Sequence, residues 1–140
     1  MALSRFLRHH RWNPDLDRKP SMPRNVLDEL HIHPAIRQRI ESRHADIVAE
    51  VQAAVAANDV VIVGMKMNPH PKRARRLLEA AGIPYKYLEY GSYFAEWRRR
   101  NALKMWTGWP TFPMVFVKGV LVGGADDVDR LIRTGELKHQ

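Results

Sequence analysis

The 140-residue chain contains no cysteine. This absence excludes disulfides, thiolate catalysis and cysteine-ligated metals from the chain itself. No apolar run approaches the roughly 18–20 residues of a membrane span, so no membrane partner is expected. The opening "MALSRFLR" is too short and too broken for a secretory signal, and we expect a cytoplasmic protein. A mitochondrial-type address stays open, because "SRFLRHHR" is basic and lacks acids.

Acidic residues are in deficit. Fifteen Asp and Glu stand against 23 Lys and Arg, which gives a formal net charge of +8. This balance favours anionic partners: nucleic acid, phosphorylated or carboxylated small molecules, or acidic protein faces. Solubility alone would also explain it, and the charge does not separate the two interpretations. The oligomeric state cannot be inferred from the sequence.

Residues 1–32 are predicted to form a basic N-terminal extension, followed by one domain over residues 33–140. Residues 1–24 hold six Lys or Arg and two Asp, a net charge of +4. Pro20 and Pro23 disfavour a regular helix there. Trp12 is a candidate for packing this extension onto the domain.

Hydrophobic spacing predicts the order helix, strand, helix, strand, helix, strand, strand, helix for the rest of the chain. The first two strands, joined by a helix, make a parallel unit, whereas the last two form a hairpin that turns at Lys118-Gly119. A mixed four-stranded sheet flanked by helices follows. The predicted segments are a helix over 33–58 with a bend near 42–45, strands 60–64 and 85–90, helices 71–81 and 93–105, and strands within 114–124. A last helix is predicted within 125–137, with Asp126 or Asp127 near its N-terminus and Gly135 as its stop.

The stretch "GWPTFPMVFVKGVLVGGADDV", residues 108–128, is the most specific motif in the chain. It resembles a segment of monothiol glutaredoxins, in which a Trp-Pro-Thr-aromatic-Pro block leads through two strands to Gly-Gly-x-Asp. The resemblance to the glutaredoxin branch of the thioredoxin fold covers residues 47–137. It therefore implies a thioredoxin-like fold with a site for glutathione.

The resemblance also implies which residues would bind glutathione. Pro113 matches the family's cis-proline, and the backbone of Phe112 would pair with the cysteinyl part. Gly123, Gly124 and Asp126 match the segment that receives the γ-glutamyl carboxylate. Arg100, with Arg99 as a substitute, falls where an arginine meets the glycyl carboxylate. The full set of candidates is Lys66, His70, Arg100, Thr111, Phe112, Pro113, Gly124, Ala125 and Asp126, with Trp109 as a candidate wall of the cleft.

The loop "MNPHP", residues 67–71, departs from the family at the reactive position. Where glutaredoxins have Cys-x-x-Cys or Cys-Gly-Phe-Ser, Asn68 takes the nucleophile position and Pro71 the fourth. No catalytic residue is therefore predicted. Asn68 is instead a good helix N-cap, with Pro69 suited to the first turn. We expect no required cofactor and no iron–sulfur cluster, since the known mode needs a protein thiolate.

Histidines offer little further chemistry. His70 is the only titratable group in this loop, and no acid or cysteine lies near it in sequence, so a catalytic role is not favoured. His31 and His33 would share a side of an extended segment, which permits metal binding, but no third ligand is evident. No metal site is predicted.

Three functions remain open at this point. The first is a cysteine-less glutaredoxin-like module that binds glutathione or a protein and has no thiol–disulfide oxidoreductase activity. The second is an enzyme that uses bound glutathione as the thiol, with His70 or Tyr93 as helpers. The third is a basic module that binds an acidic protein or nucleic acid, although no recognised nucleic-acid motif is present.

Overall fold

A mixed four-stranded sheet forms the centre of the computed structural model, which describes residues 24–92 and 94–138. Along the sheet the strand order is β2-β1-β3-β4; β1 pairs in parallel with β2 and antiparallel with β3, and β3 pairs antiparallel with β4. The strands are β1 (Val60–Gly64), β2 (Lys86–Glu89), β3 (Met114–Val117) and β4 (Val120–Gly123). The predicted thioredoxin-like sheet is confirmed.

Five α-helices accompany the sheet in the described part of the chain. They are α1 (Pro34–Ser42), α2 (Ala45–Ala57), α3 (Pro69–Ala80), α4 (Trp97–Thr107) and α5 (Ala125–Arg133), and a short 3-10 helix (Glu29–His31) precedes them. None of these helices is long and apolar enough to cross a membrane. The first 23 residues, including Trp12, lie outside the described part, so the expected packing of that extension stays a prediction.

The predicted bend between α1 and α2 is confirmed, and two other helix bounds need correction. His44 has a left-handed backbone (φ 50°), which interrupts the helical hydrogen-bonding pattern. Helix α3 begins at Pro69 rather than residue 71, because Asn68 Oδ1 accepts the His70 N–H at 2.9 Å and caps it there. Helix α4 begins at Trp97 rather than residue 93, because Glu96 is also left-handed (φ 60°).

Alternation along β1 creates two hydrophobic cores, one on each face of the sheet. Val60 and Ile62 pack with Ala74 and Leu78 of α3 and with the buried residues of α5. Val61 and Val63 face the other way, into a core made with α2 and α4. Because helices cover both faces, all five residues of β1 are buried, as the continuous run "VVIVG" predicts.

Leu78 offers a test of the core between the sheet, α3 and α5. Its side chain is fully buried there, whereas Leu77, one position earlier, is only partly buried. We expect Leu78→Ala to lower the free energy of unfolding by about 3 kcal/mol, through lost burial and a residual cavity. Leu77→Ala is the matched control and should cost clearly less. Urea denaturation followed by circular dichroism measures both; equal losses would contradict the described orientation of α3.

Candidate functional site

Four chain segments meet at one edge of the sheet. Gly64 at the end of β1 is paired with Glu89 at the end of β2, and Val63 is paired with Met114 at the start of β3. Gly123 at the end of β4 is paired with Val115. The pairing therefore brings to this edge the loop after β1, the loop after β2, the segment before β3 and the start of α5. We call this region the sheet-edge site.

The start of α3 packs directly on the end of β1. A Cβ atom placed on Gly64 would lie 2.8 Å from Pro71 Cβ and 2.9 Å from Tyr87 Oη, so this position has no room for a side chain. Pro71 is buried in this contact, whereas His70 is exposed. The Asn68 cap fixes the first turn, as the sequence predicted. Asn68, which the resemblance aligns with the family's nucleophile, is thus engaged in capping.

Tyr87 packs beside Gly64 at the start of α3, a contact that the sequence did not predict. Burial, together with a 3.0 Å hydrogen bond from its hydroxyl to Glu89, raises the pKa of Tyr87 to about 12. The guanidinium of Arg75 lies 4.2 Å from the centroid of its ring. Tyr87 therefore stays neutral over the physiological pH range and serves as packing beneath the α3 start. Its place in the alternating "YKYLEY" strand gave no indication of this contact.

The segment before β3 contains the predicted cis-proline. The Phe112–Pro113 peptide bond is cis. Both residues are buried, whereas Thr111 is exposed. Since β3 begins at Met114, the backbone of Phe112 lies outside the paired residues of the β1–β3 ladder. It is thus placed where an extended ligand could approach it at the open end of the sheet.

Gly123 and Gly124 lead into α5 through a tight turn. Gly123 has φ 121°, and a Cβ atom there would overlap the Asp127 carboxylate, so both conformation and space require glycine. Asp127 Oδ2 accepts the Gly124 N–H at 2.9 Å, so the third residue of α5 satisfies the backbone donor of its N-cap. Asp127, rather than Asp126, therefore makes the side-chain hydrogen bond that stabilises the start of this helix.

Asp126 is held by an arginine of α3. Arg73 Nη1 lies 2.5 Å from Asp126 Oδ1, and Arg73 Nη2 lies 3.3 Å from Asp129 Oδ2. The Asp126 side chain is nevertheless 93% exposed, so it remains open to a ligand cation. The two ion pairs join α3 to α5 across the site, and the adjoining Ala125 is buried at the first turn of α5.

Arg100 is buried, which the sequence analysis did not anticipate. Its Nη1 donates to the carbonyl oxygens of Tyr90 at 2.8 Å and Ala95 at 2.6 Å, and the residue is only 5% exposed. These bonds hold the loop between β2 and α4. A direct bond from this atom to a ligand would require the side chain to leave the two carbonyls. Lys66, by contrast, is exposed.

Arg99, the substitute candidate, points to other acids. It lies 2.5 Å from Glu96 and 2.8 Å from Asp46. Desolvation would raise the pKa of Asp46, but the charge and hydrogen bond of Arg99, with backbone donors, outweigh it and lower that pKa. The hydrogen bond to Glu96, together with the hydrogen bond to Asp46 and the charges of both acids, raises the pKa of Arg99 despite its desolvation. Arg99 therefore fastens α4 to the start of α2.

Trp109 lies against the glycine turn. A Cβ atom on Gly124 would be 3.6 Å from Pro113 O and 4.0 Å from Trp109 Nε1, so these three residues are in mutual proximity. The Trp109 indole N–H is buried and has no hydrogen-bond partner among residues 24–92 and 94–138.

Met67 (φ 62°, 75% exposed) and Phe94 (89% exposed) flank the same edge as exposed apolar side chains, which the sequence analysis did not single out.

The donor set at this edge does not fit a cysteine-held cluster. Asn68 and His70 stand where the resemblance would place the reactive segment, and the chain has no thiol. Within the described residues, no group of three or more His, Asp or Glu side chains is placed to hold a metal ion.

Comparison with known proteins assigns the chain to a family. The glutaredoxin family model matches residues 60–122. A glutaredoxin-like protein of Dictyostelium discoideum is 46% identical over 98 residues, covering 70% of this chain and 80% of its own. An uncharacterized monothiol glutaredoxin of Synechocystis is 33% identical over 96 residues, covering 65% of this chain and 87% of its own. Among solved structures, the chain is similar to a buckwheat glutaredoxin–glutathione complex, with a TM-score of 0.59 and 27% identity. The match covers 69% of this chain and 88% of the buckwheat chain. The protein thus belongs to the glutaredoxin family, as a member without cysteine.

Proposed function

We propose that this protein is a glutathione-binding module without thiol–disulfide oxidoreductase activity. The observation that carries the proposal is the convergence of the α3 start, the Phe112–Pro113 segment and the Gly123–Gly124 turn at one edge of the sheet. The structurally similar buckwheat protein is a glutathione complex. In this chain Asn68 occupies the position of the family's nucleophile, and an amide can neither ionise to a thiolate nor attack a disulfide.

The proposed ligand, a tripeptide with two carboxylates and one ammonium group, would be bound mainly by charge and backbone donors. The N-terminus of α5 offers partial positive charge and free N–H groups to the γ-glutamyl carboxylate. Asp126 is exposed and accepts the ammonium, while Arg73 offsets part of the negative charge at this end of α5. Lys66 is the exposed cation for the glycyl carboxylate, and we assign Arg100 to supporting the loop over residues 90–95.

The enzymatic alternative ranks lower. It would use the thiol of bound glutathione, with His70 or Tyr93 assisting. The His70 imidazole has no acidic partner in the described part of the chain, and Tyr93 lies outside that part. Without a paired acid and base, activation of the glutathione thiol would rest on positive charge alone. Nucleic-acid binding likewise has no observation at this site to favour it, and the cytoplasm remains the proposed compartment.

Calorimetry with glutathione tests binding directly. We expect saturable heat with the wild-type chain, and Lys66→Ala and Asp126→Asn should each weaken the affinity by about two- to fivefold, within the range for an exposed charge pair. Lys86→Ala is the control, since it removes the same charge from an exposed position on edge strand β2. Absence of saturable heat, or equal effects of Lys66→Ala and Lys86→Ala, would contradict the proposal. Reduction of a glutathione mixed disulfide by the wild-type chain would refute its redox-inactive character.

Introducing a thiol at position 68 tests whether the sheet-edge site can still support the thiol–disulfide exchange of the family. Asn68→Cys places a sulfur at the N-terminus of α3, where the helix dipole and free N–H groups lower a thiol pKa. We expect it to form a mixed disulfide with oxidised glutathione at least about tenfold faster at pH 7 than Ser42→Cys, since the control thiol lies at the C-terminal end of α1.

Mass spectrometry over time gives both rates. Loss of the Asn68 cap costs about 1 kcal/mol, so circular dichroism should first establish that the variant is folded. Equal rates for the two cysteines would show that the edge gives the thiol no advantage.

A further inference from the structure

A groove with an apolar floor lies among α1, α2 and α4. Its volume is about 1090 Å³. Ile40 of α1, Val48 of α2, and Trp97, Met105 and Trp106 of α4 supply most of the apolar lining. We call it the α1–α4 groove. None of its lining residues belongs to the proposed glutathione site.

Several large apolar side chains of this groove face solvent. Met105 is 71% exposed, Ile40 53%, Trp97 50% and Trp106 37%. A contiguous exposed patch that includes two tryptophans and a methionine is typical of a surface that binds another molecule. Ile36 and Ile40, four residues apart on α1, are 41% and 53% exposed, so this face of α1 is only partly covered within the described chain.

The charged residues around the groove are mostly basic. Arg43, Arg98 and Lys104 line it, and within the described ranges none of them has a carboxylate at ion-pair distance. Of the two acids that line it, Glu29 pairs with Arg37 at 3.6 Å, which leaves Glu41. The unpaired charge at the rim is therefore three positive against one negative, and it is complementary to an acidic partner.

Charge also argues against two other occupants. A second copy of this chain carries a formal charge of +8, so association through a positive groove would bring like charges together. Residues 1–24 carry a net +4. Arg24, where these residues join the rest of the chain, lies at the end of α4, because its Nη1 donates to Thr107 O at 2.9 Å. The positive charge of residues 1–24 is nevertheless not complementary to the positive rim of the groove.

We propose that the α1–α4 groove docks an acidic, amphipathic helical segment of another protein. An amphipathic helix presents apolar side chains at i, i+3, i+4 and i+7, which suits a hydrophobic groove between helices. Its acidic flanks meet Arg43, Arg98 and Lys104. The two tryptophans and Met105 provide the apolar contact, and the three cations favour a partner of negative charge.

The test uses the full chain and synthetic helical peptides of about 18 residues, long enough for five turns. The probe has leucine at the four spaced positions and glutamate at most others. One control peptide replaces the leucines with serine, and the other replaces the glutamates with lysine. By isothermal titration calorimetry we expect binding of the leucine–glutamate peptide and at least about tenfold weaker binding of either control, because apolar burial and charge are both needed.

Variants then locate the binding surface. Arg98→Glu combined with Lys104→Glu should weaken binding by about tenfold or more, and Met105→Asp should weaken it comparably through its apolar contact. Lys86→Glu on edge strand β2 reverses the same charge away from the groove and should leave the affinity unchanged. All four positions lie at the surface or are only partly buried, and thermal melts followed by circular dichroism check that the variants are folded.

Three results would overturn the proposal. The first is failure of the leucine–glutamate peptide to bind the wild-type chain, which would also be the result if the chain's own N-terminal residues filled the groove. Equal binding of the serine–glutamate peptide would indicate a general polyanion surface, as nucleic acid would use. A dimer that light scattering detects and that Met105→Asp dissociates would make the groove a contact between two copies.

Discussion

The antiparallel ladder between β1 and β3 is the constraint on which the rest of the structure depends. Its register sets Val63 against Met114, so the chain leaves β1 toward α3 beside the point where it enters β3 through Pro113. A shift by one residue would move every side chain of β1 to the opposite face. Val60 and Ile62 would then exchange faces with Val61 and Val63, so that both cores would have to repack, and the two segments of the proposed site would no longer adjoin.

Replacement of the family's reactive cysteine leaves this architecture intact because the helix start does not need a sulfur. Asn68 supplies what a helix N-terminus requires, a side-chain oxygen that accepts a free N–H. Pro69 and the buried Pro71 fit the first turn. The loop is therefore stabilised as a structural element. The same substitution removes the ionisable group that the helix dipole would otherwise activate, so retention of the fold and loss of the thiol reaction are compatible.

Sequence patterns predicted the strands well, because β1 is continuously apolar and the hairpin carries Lys118-Gly119 at its turn, both with positive φ. They predicted less of α4, since nothing in "YFAEWRRR" indicates that Glu96 adopts a left-handed backbone. At the site, Asn68 as a cap followed from local chemistry. The burial of Arg100 did not, because it depends on carbonyls of Tyr90 and Ala95 that only the folded loop presents.

Helix α4 explains why one arginine run serves different purposes. Arg100 turns inward, where it anchors the loop at the sheet-edge site, and Arg99 binds the acid at the start of α2. Arg98 lies at the groove, with its guanidinium 5.0 Å from the Trp97 ring centroid. Successive helical residues are about 100° apart, so three consecutive identical side chains must face three environments. The role of each arginine in such a run is therefore set by the neighbours that its side chain meets, and not by the run as a whole.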